Sequence, residues 1–263
     1  MLISLFQNKY LFLQMFKREV QQRYRGSQFG FLWAFFLPII MLLVYTFVFG
    51  LVLKVRWGIE GQGDIPFGLI LFSGLMLHSL MAETINTSVS LISGNTQFVK
   101  KVVFPLEILS FVTLANAFFH MLLSLLILIV IFVATGHSLT WTAFYVPIIL
   151  APFIVFLLGI SWFVSVLGLY SRDLSQVTGV MMTVMLFLGP ILYPFGNVPD
   201  VIKPYVLWLN PLTIIVEQFR AVLLFGEQPN WQYLGIYSIG AALMLFAGMA
   251  LFKRTRDGFA DVI

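Results

Sequence analysis

Side chains able to do chemistry are few in this sequence. His78, His120 and His137 stand far apart with no H-E-x-x-H spacing, so a metal site is not expected. No G-x-x-x-x-G-K-[ST] run occurs, so the chain has no P-loop with which to bind ATP. Cysteine is absent, which removes thiol nucleophiles, thiolate ligands and disulfides together. What remains is Glu83, a carboxylate inside a long apolar run, about 13 Å of helix from the run's polar end, with Asn86 one turn away. Even with His78 and His120 nearby, one carboxylate makes a thin proton path, and two readings stand. Glu83 is either a polar spot in a conduit or a packing group hydrogen-bonded to Asn86, Ser79 or a neighbouring span. Enzyme chemistry is not visible, so a partner or a gradient must drive whatever work the protein does.

The elements that carry these residues follow from composition. Of 263 residues, 60% are hydrophobic and 10% charged, and the mean hydropathy is +0.98. That leaves too little polar surface to coat a soluble globule, so the chain reads as an all-α integral membrane protein, a single domain over 1–263. No cleavable signal peptide is expected, because the first apolar stretch is broken by Gln7, Asn8 and Lys9 and ends in KREV.

A crossing helix needs about 20 apolar residues. Six runs qualify: 31–53, 67–92, 108–135, 142–170, 177–193 and 233–252. Between the fifth and sixth, 194–230 is apolar yet punctuated by Pro194, Pro199, Pro204, Pro211 and Pro229. Its uncharged pieces are too short to cross, so a re-entrant or interfacial helix pair is expected there, with protein or a water-filled cavity around it.

With six crossings both termini share a side. Eleven cations fall on that side: Lys9, Lys17, Arg18, Arg23, Arg25, Lys100, Lys101, Arg172, Lys253, Arg254 and Arg256. Four fall on the other: Lys54, Arg56, Lys203 and Arg220. The positive-inside rule makes both termini cytoplasmic, and the net charge of +4 needs no nucleic-acid explanation. The N-terminal segment, 1–30, reads as a helix lying on the cytoplasmic leaflet, with Ser4, Gln7, Gln14 and Arg18 on one arc and Leu2, Leu5, Phe6, Phe12, Leu13 and Phe16 opposite. The alternative is a disordered cationic tail.

In the first run, Phe31, Phe35, Pro38, Leu42, Tyr45 and Phe49 are spaced 4, 3, 4, 3, 4 and fall on one helix face. By composition such a stripe is helix packing or a lipid face. The other reading is a surface of flat rings along which a sugar slides. Met181, Met182 and Met185 give the fifth run an adaptable face, for cargo or for gap filling.

Four segments carry a resemblance: RYRGSQFGFLWAFFLP (Arg23, Tyr24, Gly26, Ser27, Gly30, Trp33, Pro38), FVKKVVFPLEILS (98–110), YSRDLSQ (Arg172, Asp173) and NPLTIIVEQFR (Asn210, Pro211, Arg220). In this order they resemble the permease subunits of ABC exporters for bacterial surface polysaccharides, the type 2 ABC transporter permeases, with the O-antigen export branch most similar in texture. The resemblance implies a homodimer paired with two copies of a cytoplasmic ABC ATPase, which alone binds ATP and Mg. No cofactor, metal or catalytic residue belongs to this chain. Its cargo would be a lipid-linked polysaccharide moved from the cytoplasmic to the outer side of the bacterial inner membrane.

The resemblance also implies parts. Residues 94–105 become a coupling helix seated in the ATPase, with Phe98, Lys100, Lys101, Phe104 and Pro105 as its contacts. Residues 194–230 become an outer gate with Asn210, Pro211 and Arg220. Spans one and five line the channel with Phe31, Phe35, Tyr45, Phe49, Met181 and Met185, and in that frame glycan contact is the better reading of the stripe. Arg18, Arg23 and Arg25, with Lys17 nearby, would meet the lipid's anionic head, bulk anchoring being the alternative. Two other functions stay open: a permease of the same type for teichoic acid, capsule, lipid or drug, and a membrane-embedded glycosyl- or acyltransferase.

Overall fold

A computed structural model describes residues 7–54, 65–100, 104–171 and 173–262, with backbone alone at 260 and 261. Lys101, Arg172 and Arg56, and Leu2, Ser4, Leu5 and Phe6 of the N-terminal arcs, lie outside the described residues. Among those described, every regular element is a helix, as expected where lipid leaves backbone groups no partners but their own.

Helix α1 is Lys9–Tyr24. It packs along α5, Glu107–Ala134, burying Met15 and setting Phe16 edge-on to Phe119 at 6.0 Å. Gly26 and Gly30 take φ of +87° and +49°, left-handed values free of a Cβ clash, and turn the chain from α1 into the first long apolar helix. That helix, Gly30–Val52, is a one-turn 3₁₀ start, α2 proper at Trp33–Tyr45, and a π-helical end at Thr46–Val52. Its π-turn rests on α3, Phe67–Val89, where a Cβ on Gly68 would lie 2.9 Å from the Thr46 Cα.

Helix α3 is the hub. Of its most apolar stretch 72% is buried, against 6% for Gly30–Val52, so the first span leans on the bundle while α3 runs through it. Around α3 stand α5, α6 (Val146–Tyr170, led in by the 3₁₀ turn Trp141–Tyr145), α7 (Leu174–Leu188) and α9 (Pro211–Leu223). Small residues permit the closest approaches, as in membrane bundles generally. A Cβ on Gly168 would strike the Val89 carbonyl, and Ser88 and Ser161 hydrogen-bond at 2.7 Å between α3 and α6. Helix α10, Trp231–Thr255, packs on α6, where a Cβ on Gly159 would lie 2.6 Å from the Leu245 backbone. The short helices α4 (Thr96–Val99), α8 (Lys203–Leu209) and α11 (Phe259–Val262) complete the described chain.

Among the described residues, five helices are long and apolar enough to cross a membrane: Gly30–Val52, Phe67–Val89, Glu107–Ala134, Trp141–Tyr170 and Trp231–Gly258. They match the first, second, third, fourth and sixth expected runs. The fifth differs. Instead of continuing to 193, α7 stops at Leu188 after 15 residues. Pro190 pushes Gly189 into extended backbone (ψ 157°), and a residue before proline avoids the helical region. In the Pro-rich stretch, α8 and α9 meet at a 94° bend, and counting the pair as one span brings the total to six.

Candidate functional site

Three polar constructions stand out against the apolar bundle. The first is built on Arg220, which is 1% exposed on α9. Its Nε donates to the Ile70 carbonyl at 3.2 Å and Ser73 Oγ at 3.3 Å; Nη1 donates to the Pro190 carbonyl at 2.5 Å and Nη2 to the Ile191 carbonyl at 2.9 Å. Glu217 one turn back supplies the counter-charge at 3.4 Å. The guanidinium fork thus joins α9, the core of α3 and the chain just past α7, satisfying carbonyls that the Gly189–Pro190 break leaves without helical donors. Gly74 makes room, since a Cβ there would lie 2.7 Å from Nη2. The charge count assigns Arg220 to the non-cytoplasmic side, and the structure makes its side chain a buried clamp rather than a solvated cation.

Asn210 makes the second tie in this region. Its Oδ1 caps α9 by accepting from the Leu212 N–H at 3.0 Å, with Pro211 at the first turn, while Nδ2 donates to the Met185 carbonyl at 2.9 Å. Expected gate residues Asn210, Pro211 and Arg220 therefore sit together, and one of them is bonded to Met185, an expected channel residue.

The second construction is a cleft of about 230 Å³ between the first span, α3 and α5. At one end Arg23 pairs with Glu83, and Tyr24 Oη lies 3.2 Å from His120 Nδ1; His120 Nε2 has no hydrogen-bond partner. Glu83's partner is therefore neither Asn86 nor Ser79 but a cation at the end of α1. Of the cations expected at a lipid head, Arg23 is engaged here. Arg18 and Arg25 instead line, with Phe31, a separate shallow cavity of about 640 Å³. Glu19, on α1 beside them, has its carboxyl raised, chiefly by burial, with Arg18 opposing and Glu83 adding to the effect.

The third lies at the connection between α3 and α5. Phe98 stacks on Phe104 with centroids 4.5 Å apart, and the Arg18 guanidinium stands 5.7 Å over Phe98. Arg256, just past α10, donates to the Phe104 carbonyl at 3.3 Å and pairs with Glu107 Oε2 at 3.2 Å. Trp162 Nε1 reaches the Glu107 carbonyl at 3.4 Å. Chain regions from both ends thus grip Phe98 and Phe104, while Pro105 precedes α5, Lys100 is exposed and Lys101 lies outside the described residues. Glu107 and Arg256 were not singled out from sequence; a carboxylate opening an apolar helix and a cation closing another were the available signals.

The 4-3-4 stripe is largely turned toward the chain's own bundle. Leu42 is buried, Phe35, Tyr45 and Phe49 pack against the core, Phe49 lies 5.6 Å from Phe67, and Phe31 is 44% exposed. Met181 lies on an open face of α7, while Met182 is buried where its carbonyl meets His78 Nε2 at 2.9 Å.

Fold and sites together define a polytopic, all-helical membrane protein whose polar groups brace one helix against another and, among the described residues, assemble no metal-binding cluster. The chain belongs to the ABC-2 type transporter family, which residues 10–224 match. It is 27% identical over 261 residues to the O-antigen export system permease protein RfbA of Myxococcus xanthus, covering 99% of this chain and 98% of that one. It is 28% identical over 249 residues to the protein of that name from Klebsiella pneumoniae (94% and 92% covered), and 26% over 248 residues to the polysialic acid transport protein KpsM of Escherichia coli (92% of each).

Proposed function

We propose that this chain is the non-catalytic membrane subunit of an ATP-driven exporter that moves a lipid-linked polysaccharide, of the O-antigen type, from the cytoplasmic to the outer side of a bacterial inner membrane. The observation that carries the reading is the end-to-end similarity to O-antigen export permeases, 261 residues with the Myxococcus protein. The chain works as a homodimer with two copies of a separate ATPase, which holds the ATP and Mg. Six crossings, with α7 as the fifth and the bent α8–α9 pair re-entrant from the outer side, place both termini in the cytoplasm. The 94° bend between the pair's arms, of 7 and 13 residues, supports the re-entrant reading.

In this frame 94–105 is the coupling segment. Its Phe98–Phe104 stack, held by Arg18 and Arg256, passes movement of the ATPase directly to α1, α5 and the end of α10. Lys100, which is exposed, meets the ATPase, and Lys101 is assigned to the same contact from its place in the sequence. ATP-driven closure levers the two permeases apart along the first span and α7. Phe31 and Met181 offer the glycan open surface, Tyr45 and Met185 the edges of the wall, and Phe35 and Phe49 back it. The cavity lined by Arg18 and Arg25 receives the anionic lipid head, while Arg23 stays paired with Glu83 in the neighbouring cleft. Asn210, Pro211 and Arg220 hold the outer gate.

The test is alanine substitution across 98–105 in a strain lacking the native gene. Membrane insertion should persist, and cargo-stimulated ATP hydrolysis and surface glycan should fall together; unchanged surface glycan refutes the coupling assignment. The similarity to the polysialic acid transport protein KpsM supports a second reading, export of an acidic polymer of that kind. Chemical analysis of the polymer that accumulates inside such a strain separates the two.

A further inference from the structure

We propose that the cleft between the first span, α3 and α5 is a binding slot for one acyl chain of a phospholipid with a zwitterionic, amine-bearing head. The slot is amphipathic along its length. On α3 its lining runs from Phe72 to Glu83, about 16 Å of helix, and on the first span from Trp33 to Tyr45, about 18 Å. Both runs lie along the helix axes, the direction of a lipid chain. Apolar side chains such as Leu37, Met41 and Met76 form the walls, and the charged and polar groups Arg23, Tyr24, Glu83 and His120 gather at the end that the positive-inside count assigns to the cytoplasm.

An apolar void between helices stays dry and forfeits dispersion contacts on its lining. With only 6% of the first span's apolar stretch buried by protein, lipid has side access to the slot. A volume of about 230 Å³ is below the usual range for a drug-sized pocket, so the slot takes part of a single chain, the remainder running in the bilayer along its open side. Charge selects the head. Arg23 and Glu83 stand side by side, and their contact uses one nitrogen and one oxygen of groups with five N–H donors and about four lone-pair sites. A phosphate gains from Arg23 and Tyr24, but a purely anionic head is opposed by Glu83. A head carrying phosphate and ammonium satisfies both, and only an ammonium with N–H groups can donate to the carboxylate.

The experiment is native mass spectrometry of the full-length chain purified with its ATPase, followed by competition among phosphatidylethanolamine, phosphatidylcholine and phosphatidylglycerol after delipidation. One phosphatidylethanolamine per chain should persist, preferred about tenfold over the other two, the size of one charge-assisted hydrogen bond. Glu83→Gln should bring the three within about twofold of one another while a lipid remains bound. Met41→Trp, at a half-exposed wall position where the added ring fills the slot without burdening the core, should abolish retention. Equal retention of the three lipids by the native chain, unchanged retention by Met41→Trp, or a polyprenyl phosphate in place of the phospholipid would each overturn the assignment. These readouts use no glycan and no transport, so they stand apart from the exporter reading.

Discussion

Arg220 illustrates how one side chain replaces the hydrogen bonds that a broken helix gives up. Replacing it with alanine leaves the carbonyls of Pro190 and Ile191 and the Glu217 charge without their donor, a loss of about 3–5 kcal/mol by analogy with broken buried pairs. The purified variant should unfold or aggregate at markedly lower temperature. Arg220→Lys should fall between, because a point-like ammonium cannot reach carbonyls on both sides as a planar fork does. A melting midpoint unchanged in Arg220→Ala refutes the clamp. Gly74→Ala probes the same contact from the other side: with its Cβ 2.7 Å from Nη2 and 3.2 Å from Ile191 Cγ2, overpacking should cost about 1–3 kcal/mol, read in the same melt. None of this could be read from the sequence. Arg220 sits in a Pro-punctuated stretch whose periodicity does not reveal burial, and Arg23 and Glu83 are 60 residues apart, so their pairing exists only once α1 has folded back beside α3.

At the scale of elements, far more was legible. Five long helices coincide with five apolar runs because lipid leaves a crossing segment few options, and apolar length alone locates it. The exception has a local cause: hydropathy continues past Leu188, but Pro190 ends α7. The 4-3-4 spacing marked one face of the first span, yet spacing cannot say what that face meets, and most of it meets the chain's own bundle. The grip on Phe98 and Phe104 gives the element-scale prediction. Glu107 is 7% exposed and Arg256 38%, so breaking the pair strands a buried carboxylate. Glu107→Arg and Arg256→Glu should each lower both the melting temperature and cargo-stimulated ATP hydrolysis, and the double swap should restore much of both. A double variant no better than the worse single one would show that position, not charge pairing, matters there.

The whole molecule presents an imbalance that a single chain does not resolve. The first span and α7 expose Phe36, Ile40, Leu43 and Phe47, and Val177, Val180, Val184 and Phe187, while α3 behind them is buried. Lipid would tolerate such faces, so exposure alone does not demand a partner; the proposed homodimer places them at the seam through which cargo passes. The chain contains no cysteine, so any thiol introduced is the sole one and a crosslink reports one contact without ambiguity. Val184→Cys and Leu43→Cys, treated in membranes with a short bifunctional thiol reagent, should give a species of twice 29.9 kDa. A thiol at Leu243, exposed on α10, which packs on α6, should remain monomeric under the same treatment. In the proposed mechanism separation of the seam is the transport step, so the seam crosslinks should stop export while the ATPase still binds, and a cleavable reagent should allow export to resume on reduction. Crosslinking that favours Leu243, or export that proceeds through a fully crosslinked seam, would move the cargo path away from the first span and α7 and return their exposed faces to contact with lipid.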